Sequence, residues 1–307
     1  MDVSIIIINY NTFELTKNTI ENLISNTSNL DYEIIVVDNQ SPDGSGEELK
    51  NYFKDSIVYI QANANLGTSK AFNMGVNKSQ GKYVLWLNPD VVIYDNFIYD
   101  LFSFMENNND CGVCGGNLLG IDKKPTHSFR TKMPTLKTIS KDLNFCHRIL
   151  KKVFHKSFDY EYNYKNRPIK VGYITGADML VRKSIIDEIG AFNEEIFMYS
   201  EEVEFQYRVI NKTDYSIYSV PNASLIHLEG GSFTKDKQFN DRRFRLSIIG
   251  QATYMKLSYG DEYYKKFLLL LLKKYKKIKL VYSIVLSKKR HEYAKKIQII
   301  NELLEMK

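Results

Sequence analysis

An acidic residue follows a short, strongly apolar stretch in the first third of the chain. The sequence YVLWLNPDV, residues 83–91, holds five apolar or aromatic residues and then breaks at Asn88-Pro89-Asp90. Proline cannot donate to a sheet ladder and disfavours helix for the residue before it, so a buried strand is predicted to end there. Asp90 then lies at the edge where open α/β sheets bind ligands. A carboxylate there suits a hard cation and, through it, a phosphate; a plain turn is the alternative.

A second acidic cluster, Glu201, Glu202 and Glu204, follows the stretch Phe197-Met198-Tyr199-Ser200. Ser200 can cap a helix that runs to about Ile210, and glutamates in the first turn complement the helix dipole. Glu201 and Glu204 share one face, whereas Glu202 points elsewhere. Aromatic neighbours lower the local polarity and can raise a glutamate pKa towards the range of a general base. The sequence leaves a structural and a catalytic role open.

A histidine far along the chain offers a second ligand for a cation. His227 follows a predicted last core strand, Ser216 to Val220, and precedes a glycine-rich turn. Imidazole and carboxylate groups both serve as ligands of divalent metals, so His227 can complete a metal site with Asp90. A structural role for this lone histidine is the alternative.

The elements that must position these side chains alternate between strands and helices. Val3 to Tyr10 is a β-branched run of strand length, and Glu33 to Val37 is a second, with helical apolar spacing between them. Strand, helix and strand in this order form a right-handed βαβ unit, so an α/β fold with a mostly parallel sheet is predicted. Asp38 ends the second strand, as Asp90 follows the later one.

The stretch from Asn63 to Gly75 predicts a glycine turn that enters a helix. Backbone N–H groups without partners at such a helix start point outward and suit a diphosphate. Two other nucleotide signatures are absent, because the chain has no G-x-x-x-x-G-K-[ST], and Gly44-Ser45-Gly46 lacks the third glycine of G-x-G-x-x-G. These absences argue against P-loop ATPases and dinucleotide-dependent oxidoreductases.

Residues 121–170 interleave Lys, Tyr, Phe and His without a clear period. One basic amphipathic piece is predicted at about Asp142 to Phe154. Long excursions from a core often carry specificity, so this segment is interpreted as a variable insertion on the acceptor side. A solvated insertion without a role is the alternative.

Positive charge concentrates at the end of the chain. The formal net charge is +6, but residues 260–307 hold 13 Lys or Arg against 5 Asp or Glu, whereas the remainder holds 29 against 31. Lysines that flank an apolar helix face suit an anionic membrane surface. A helical bundle that packs on the domain or forms a homodimer is the alternative. We therefore predict a domain of residues 1–260 and a basic amphipathic helical tail of residues 261–307.

The expected location is cytoplasmic, peripheral on the inner face of the cell membrane. The chain enters an apolar strand without a basic leader, and its longest apolar run, Phe267 to Leu272, is far below the ~20 residues that span a bilayer. Cys111, Cys114 and Cys146 fit a reducing compartment, and the lone C-x-x-C is interpreted as inert.

The chain resembles the inverting glycosyltransferases of family two, which have a GT-A fold, over roughly residues 1–260. The stretches that carry the resemblance follow the family's order: VSIIIINYN, EIIVVDNQSPDGS, NANLGTSKAFNMGV, YVLWLNPDV, GYITGADMLVRKSIIDEIGAFNEEIFMYSEEVEFQYR and HLEGGSF. The Asn-Pro-Asp form of the family's D-x-D motif is most similar to the rhamnosyltransferase-like branch, which builds bacterial cell-surface polysaccharides. The resemblance implies a Rossmann-like, mostly parallel central sheet with flanking helices.

The resemblance also implies a donor site for a nucleoside-diphosphate sugar, linked to dTDP or UDP. Asp38 would contact the nucleoside, beside the turn formed by Asn9, Tyr10 and Asn11. Asn65 and Gly67 belong to the matching stretch that would face the diphosphate. 

The implied metal and catalytic groups lie in the other matching stretches. Asp90 would hold Mg²⁺ or Mn²⁺ bound to the donor diphosphate, Asn88 would replace the first Asp of D-x-D, and His227 would be an additional metal ligand. Glu202 matches the catalytic base, which is usually Asp. The family's E-D-x-D reads Glu201-Glu202-Val203-Glu204 here, so either Glu201 or Glu202 can be the residue that reaches the acceptor.

The implied reaction is a single displacement that moves rhamnose or another hexose to a lipid-linked or polysaccharide acceptor. No covalent enzyme intermediate and no nucleic-acid partner are expected. A non-catalytic nucleotide-sugar-binding or partner subunit with the same fold is the alternative, supported by the Glu-for-Asp changes. A nucleotidyltransferase would need a glycine- and basic-rich loop after the first strand, and residues 9–12 do not form one.

Overall fold

A computed structural model describes residues 1–142, 162–228, 240–284, 287 and 289–305. The strands are β1 (Val3–Asn9), β2 (Tyr32–Asp38), β3 (Val58–Gln61), β4 (Tyr83–Leu87), β5 (Val91–Val92), β6 (Cys111–Leu119), β7 (Phe129–Arg130), β8 (Ile169–Lys170), β9 (Tyr173–Ile174), β10 (Asp178–Arg182) and β11 (Ser216–His227). The helices are α1 (Phe13–Asn26), α2 (Ser45–Phe53), α3 (Gly67–Val76), α4 (Phe97–Asn107), α5 (Leu136–Asp142), α6 (Lys183–Ile189), α7 (Glu201–Lys212), α8 (Asp241–Tyr259), α9 (Asp261–Ile284) and α10 (Lys289–Glu305).

The central sheet is mixed. Its strand order is β3-β2-β1-β4-β10-β6-β11-β5, and β8 pairs with β11. Strands β3, β2, β1 and β4 run parallel, β10 is antiparallel to both β4 and β6, and β11 is parallel to β6. The predicted α/β fold is confirmed, with β10 reversing direction in the middle of the sheet.

Both faces of the sheet are covered by helices, which explains why β1 and β4 are almost continuously apolar. Ile5 and Leu85 lie in one buried cluster, while Ile6 and Trp86 lie in another on the opposite face. On that second face the ring of Trp86 stacks on Phe72 of α3, with 5.0 Å between ring centroids. Alternation along each strand therefore supplies two hydrophobic layers.

The last strand of the sheet is longer than the sequence predicted, and strand β6 was not predicted. The strand predicted at Ser216 to Val220 continues to His227, through Pro221, with a register irregularity against β6 between Ser219 and Ser224. Such an irregularity accommodates a proline, which has no N–H for the ladder. β6 holds the C-x-x-C in a glycine-rich strand.

The C-terminal helices pack on the domain. Val203 of α7, Ile248 of α8, Leu268 of α9 and Ile300 of α10 share one hydrophobic cluster. The packing alternative for the tail is therefore observed, and the division at residue 260 stays a prediction. In the ranges that the structure describes, no helix combines the length and the apolarity needed to cross a bilayer.

Candidate active site

A cleft of about 720 Å³ opens beyond the carboxyl ends of β1 and β4. Ile8 and Trp86 line it from these strands, and Glu202 of α7 and Leu246 of α8 line it from the helical side. Ligands of open α/β sheets bind at this edge because parallel strands end there together. The position agrees with the sequence prediction for Asp90, which also lines the cleft.

Asn9 and Asp38 lie beneath the cleft and do not line it. Asn9 is 0% and Asp38 2% exposed. Asn9 Nδ2 donates to Asp38 Oδ1 at 2.8 Å, and Asp38 Oδ2 accepts from the Ser41 backbone N–H at 3.0 Å and from Gln61 Nε2 at 2.8 Å. These contacts tie the ends of β1, β2 and β3 together. Direct donor binding by Asn9 and Asp38 stays a prediction, and the cleft itself is lined by Tyr10, Asn11 and Asn39.

The loop between β3 and α3 corrects one expectation. Its backbone N–H groups were predicted to point outward, but Leu66 N–H donates to Asn39 Oδ1 at 2.9 Å and Gly67 N–H to Asn65 Oδ1 at 3.2 Å. Thr68 N–H donates to the Phe197 carbonyl at 2.7 Å. The helix start is therefore occupied within the protein. Asn65 and Thr68 line the cleft. Binding of the sugar nucleotide by Asn65 and Gly67 stays a prediction.

The structure brings Asn88, Asp90 and His227 together. His227 Nε2 lies 3.3 Å from Asp90 Oδ1 and 3.2 Å from Asn88 Nδ2. Two-residue strand β5 pairs His227 with Val91, and Leu228 N–H donates to the Asp90 carbonyl at 2.9 Å. Backbone pairing thus holds the imidazole against the carboxylate.

This donor set fits a divalent cation that takes further ligands from a bound substrate. One carboxylate and one imidazole converge beside an amide side chain, and hard or borderline cations accept this combination. Within the described ranges there is no group of three or more His, Cys, Asp or Glu that could hold a metal by itself. A cation bound here would therefore need oxygen ligands from a bound molecule, and diphosphate oxygens have that chemistry.

Behind this pair lies a fully buried carboxyl that the sequence analysis did not single out. Asp178 begins β10, and its Oδ2 accepts the Gly116 N–H at 2.6 Å. Burial raises the pKa of Asp178 to about 7, although the Gly116 hydrogen bond and the charge of His227 lower it.

Glu201 and Glu202 open helix α7 and both line the cleft. Burial raises the pKa of Glu202 to about 7. Burial, and after it the charge of Glu202, raises the pKa of Glu201 well above its ordinary value. Glu201 is only 5% exposed, whereas Glu202 is more open to the cleft. A carboxyl that ionises near neutral pH has the property that a general base needs.

The residues before these glutamates adopt an uncommon backbone. Tyr199 has φ 69° and Ser200 φ 76°, both in the left-handed region. Ser200 occupies the N-cap position, but its side chain makes no capping hydrogen bond, so that detail of the prediction is wrong. Capping side chains work from an extended backbone, which Ser200 does not have.

Side chains further along α7 attach this helix to neighbouring elements. Glu204 forms an ion pair with Arg208 at 2.8 Å, and Arg208 also donates to the Ile189 and Gly190 carbonyls. Gln206, fully buried, bonds both the N–H and the carbonyl of Ile174 in β9. Glu204 therefore pairs with Arg208 within the protein and does not line the cleft.

Several cleft residues were missed by the sequence analysis. Arg242 and Arg243, in the first turn of α8, are the Lys or Arg residues that line the cleft within the described ranges. Arg243 hydrogen-bonds the Tyr199 hydroxyl and lowers its pKa, although burial, the larger effect, raises it. No local pattern marks these arginines, because only tertiary packing brings α8 to the cleft. Asn39 could have been found, since it follows Asp38 at a strand end.

The predicted insertion, residues 121–170, contributes one described residue to the cleft, His127. Thr175 and Gly176, which follow the insertion, also line the cleft, and the Thr175 hydroxyl donates to the His127 carbonyl at 3.1 Å. The basic amphipathic piece predicted from Asp142 to Phe154 lies, apart from Asp142, outside the described residues. The EGGSF part of the HLEGGSF motif, residues 229–233, also lies outside them.

The chain is similar in sequence to known glycosyltransferases. A family model described as "Glycosyl transferase family 2" matches residues 4–190. The low-salt glycan biosynthesis hexosyltransferase Agl10 of Haloferax volcanii is 32% identical over 212 residues, which cover 67% of this chain and 61% of that protein. The poly(ribitol-phosphate) beta-glucosyltransferase of Bacillus spizizenii is 28% identical over 151 residues, 47% of this chain and 24% of its own length.

Solved structures share the fold. The crystal structure of GalNAc-T7 with UDP, GalNAc and Mn²⁺ superposes with a TM-score of 0.59 at 14% identity, covering 84% of this chain and 50% of that chain. The S. aureus TarS structure gives a TM-score of 0.51 at 16% identity, over 94% of this chain and 44% of that one. The fold is therefore GT-A-like, as expected. The chain spans 61% of the length of the Haloferax relative and half or less of the two solved chains.

Proposed function

The chain belongs to glycosyl transferase family 2, and from that premise we propose that it is an inverting, divalent-cation-dependent hexosyltransferase. Its donor is a nucleoside-diphosphate sugar and its acceptor a lipid-linked or polysaccharide glycan of the bacterial cell surface. The observation that carries the proposal is one cleft that holds Asp90 with His227 on one side and Glu202 on the other.

Glu202 acts as the base in a single displacement. It takes the proton of the acceptor hydroxyl while that oxygen bonds to the anomeric carbon, and the carbon–oxygen bond to the diphosphate breaks with its electron pair on the leaving group. Attack from the face opposite the diphosphate inverts the anomeric centre. The acidic pair is suited to this step because burial holds the pKa of Glu202 at about 7.

Asp90 and His227 would hold Mg²⁺ or Mn²⁺, with Asn88 beside them. A bound cation neutralises negative charge that develops on the departing nucleoside diphosphate. Arg242 and Arg243 face the same cleft and add positive charge for a polyanionic ligand. The Mn²⁺ and UDP named for the GalNAc-T7 structure support the cation and the donor class.

The nucleoside would lie beside the ends of β1 and β2, where Tyr10, Asn11, Asn39 and Asn65 line the cleft. The sugar is rhamnose or another hexose, linked to dTDP or UDP. The Asn-Pro-Asp motif supports rhamnose, and the Haloferax relative is named a hexosyltransferase.

The acceptor would approach from His127, Thr175 and Gly176, beside Glu202. Relatives named for glycan and poly(ribitol-phosphate) synthesis support a polymeric or lipid-linked acceptor. We further propose that the basic tail attaches the protein to the inner face of the cell membrane. The alternative is that the same helices form the interface of a homodimer.

A donor panel tests this function. Purified protein with Mn²⁺ or Mg²⁺ is incubated with dTDP-rhamnose, UDP-glucose, UDP-galactose and UDP-N-acetylglucosamine, and thermal stabilisation and release of nucleoside diphosphate are followed. One donor should stabilise the fold and be cleaved only with the metal. Asp90→Asn should abolish turnover and weaken metal-dependent donor binding, because it removes the charged ligand.

Glu202→Gln is the matched control for Asp90→Asn, because it should retain metal-dependent donor binding while losing turnover. Metal-dependent turnover that survives Asp90→Asn would remove Asp90 from the site. If Glu202→Gln leaves turnover intact, Glu202 is not the base. If none of these donors binds the wild-type chain and its cellular function survives Glu202→Gln, the hexosyltransferase proposal fails and the non-catalytic subunit takes its place.

A further inference from the structure

The segment Phe197–Ser200, here named the base turn, leads directly into Glu201 and Glu202. The backbone at the start of α3 contacts its first carbonyl group, that of Phe197. Thr68 N–H donates to the Phe197 carbonyl at 2.7 Å, and a Cβ built on Gly67 would lie 2.3 Å from the same oxygen. Gly67 itself has φ +78°. Only glycine allows this approach, because any Cβ would collide with a backbone oxygen.

A second glycine contacts the base turn from the opposite element. A Cβ built on Gly250 of α8 would lie 2.1 Å from the Tyr199 carbonyl oxygen and 2.6 Å from that of Met198. Gly250 is buried in the interior of a 19-residue helix, where alanine is the better helix former. Its presence there is explained by the close approach of α8 to the base turn.

Two residues of the base turn have an intrinsically unfavourable backbone conformation. Tyr199 and Ser200 both have positive φ, at 69° and 76°. Non-glycine residues persist in the left-handed region when the surrounding structure holds them there, and such residues concentrate at functional sites. Here the surroundings are α3 on one side and α8 on the other.

We propose that Gly67 and Gly250 are positioning residues that clamp the base turn in its left-handed conformation and so set the place of Glu202 in the cleft. The proposal rests on the proposed role of Glu202 as the base. Gly250 lies beyond residues 4–190, the range that the family model matches. The C-terminal helices therefore take part in active-site geometry and do more than cover the domain.

Gly250→Ala in the full chain is the central variant, and Gly260→Ala is its matched control. Gly260 is the C-cap residue that follows α8. Its φ of +111° strains an alanine there, but a Cβ built on it meets nothing within 4 Å. Gly260→Ala therefore strains the end of the helix without touching the base turn, whereas Gly250→Ala pushes on that turn. Gly250→Ala should lower the rate of sugar transfer by about a hundredfold, because misplacement of a reacting group by 1 Å has that effect. Its donor affinity should equal that of the wild type.

A titration provides a readout that needs no donor. Carbon-13-labelled glutamate is followed by NMR against pH, and Glu202→Gln assigns the signal of Glu202. The wild-type pKa of about 7 should fall in Gly250→Ala as the carboxyl moves towards solvent, and stay unchanged in Gly260→Ala. If the wild type turns over no donor, the proposed function fails while this titration still tests the clamp.

Ser200→Gly keeps the test decisive if Gly250→Ala does not fold. Glycine adopts positive and negative φ at similar cost, so in the double variant Ser200→Gly/Gly250→Ala the turn can change conformation to make room for the new methyl group. The double variant should fold with a lowered Glu202 pKa and slow transfer. The proposal is overturned if the folded variants keep the wild-type pKa and transfer rate, or if Gly260→Ala loses as much of both as Gly250→Ala.

Discussion

At the scale of single residues, the cleft contains two neighbouring carboxyls with different surroundings. Glu201 is buried, and its Oε2 has no hydrogen-bond partner among the described residues. Glu202 is more open, and backbone N–H groups of the helix start lower its pKa although burial dominates. The less accessible carboxyl stays protonated at higher pH. We therefore propose Glu202, rather than Glu201, as the group that ionises near neutrality and meets an acceptor.

The pH dependence of transfer follows from this assignment. A base works when ionised, so kcat should rise with pH through about 7, the pKa of Glu202. Glu202→Gln should lower kcat by about 10²–10⁴ and remove that rising limb, since general-base catalysis contributes this much. Initial rates of transfer measured in buffers from acidic to alkaline pH give this pH dependence. Glu201→Gln is the control and should retain the limb; loss of the limb in Glu201→Gln alone would reverse the assignment.

The sequence predicted which polar residues lie at strand ends, but it did not predict which groups their side chains contact. Asp90 was predicted beside a strand end because Pro89 stops the ladder, and it lines the cleft there. Asn9 and Asp38 were predicted by the same rule, yet their side chains form a hydrogen bond with each other, 2.8 Å long, beneath the cleft. Which polar residue faces the ligand and which supports the loop depends on neighbouring strands, so a local pattern does not distinguish them.

At the scale of elements, α7 presents Glu202 and is fixed by a buried ion pair. The side chains of Glu204 and Arg208 are 4% and 12% exposed, and Arg208 also donates to the Ile189 and Gly190 carbonyls at the C-terminal end of α6. Removing one partner of such a pair leaves a buried charge without compensation.

Arg208→Met should therefore reduce the free energy of unfolding by about 3–5 kcal/mol. The double variant Glu204→Gln/Arg208→Met should be more stable than Arg208→Met, because it leaves no unpaired buried charge. Urea denaturation at neutral pH measures both. If the double variant is no more stable than Arg208→Met, the loss comes from the carbonyl contacts of Arg208 and not from the orphaned charge of Glu204.

The sequence predicted β1, β2, β4 and the start of α7 well, because apolar periodicity and helix-start residues are local signals. It missed β6, whose glycines lower strand propensity, and it ended β11 at Val220, before Pro221. Burial in the sheet overrides both signals. The approach of α8 to the cleft rests on Gly250, and a lone helix glycine gives no indication of what it contacts.

At the scale of the whole molecule, the helical tail has an apolar and basic end. Leu280, Val281 and Ile284, at the end of α9, are 63%, 57% and 73% exposed. Lys276, Lys277 and Lys279 are exposed on the same turns. Large exposed apolar residues next to lysines match an anionic lipid surface, to which each lysine contributes about 1 kcal/mol.

The full chain should sediment with phosphatidylglycerol vesicles, and less so as salt is raised. Replacing Lys276, Lys277 and Lys279 by Glu should abolish sedimentation without lowering thermal stability. Charge reversal at Lys78, Lys123 and Lys124, which are exposed elsewhere, provides the control. A wild-type chain that stays in the supernatant at low salt would contradict membrane attachment, and a dimer in sedimentation velocity would assign the surface to a second copy.

The pairing of β5 with β11 has a consequence for the newborn protein. Asn88 and His227 touch although 139 residues separate them in the sequence. At roughly 5–20 residues per second, a ribosome needs on the order of ten seconds to deliver the histidine after the asparagine. The early strands can pair during that interval, but the proposed cation site would have no second ligand until β11 has emerged. Prematurely terminated chains that lack β11 would therefore be unable to assemble the proposed site.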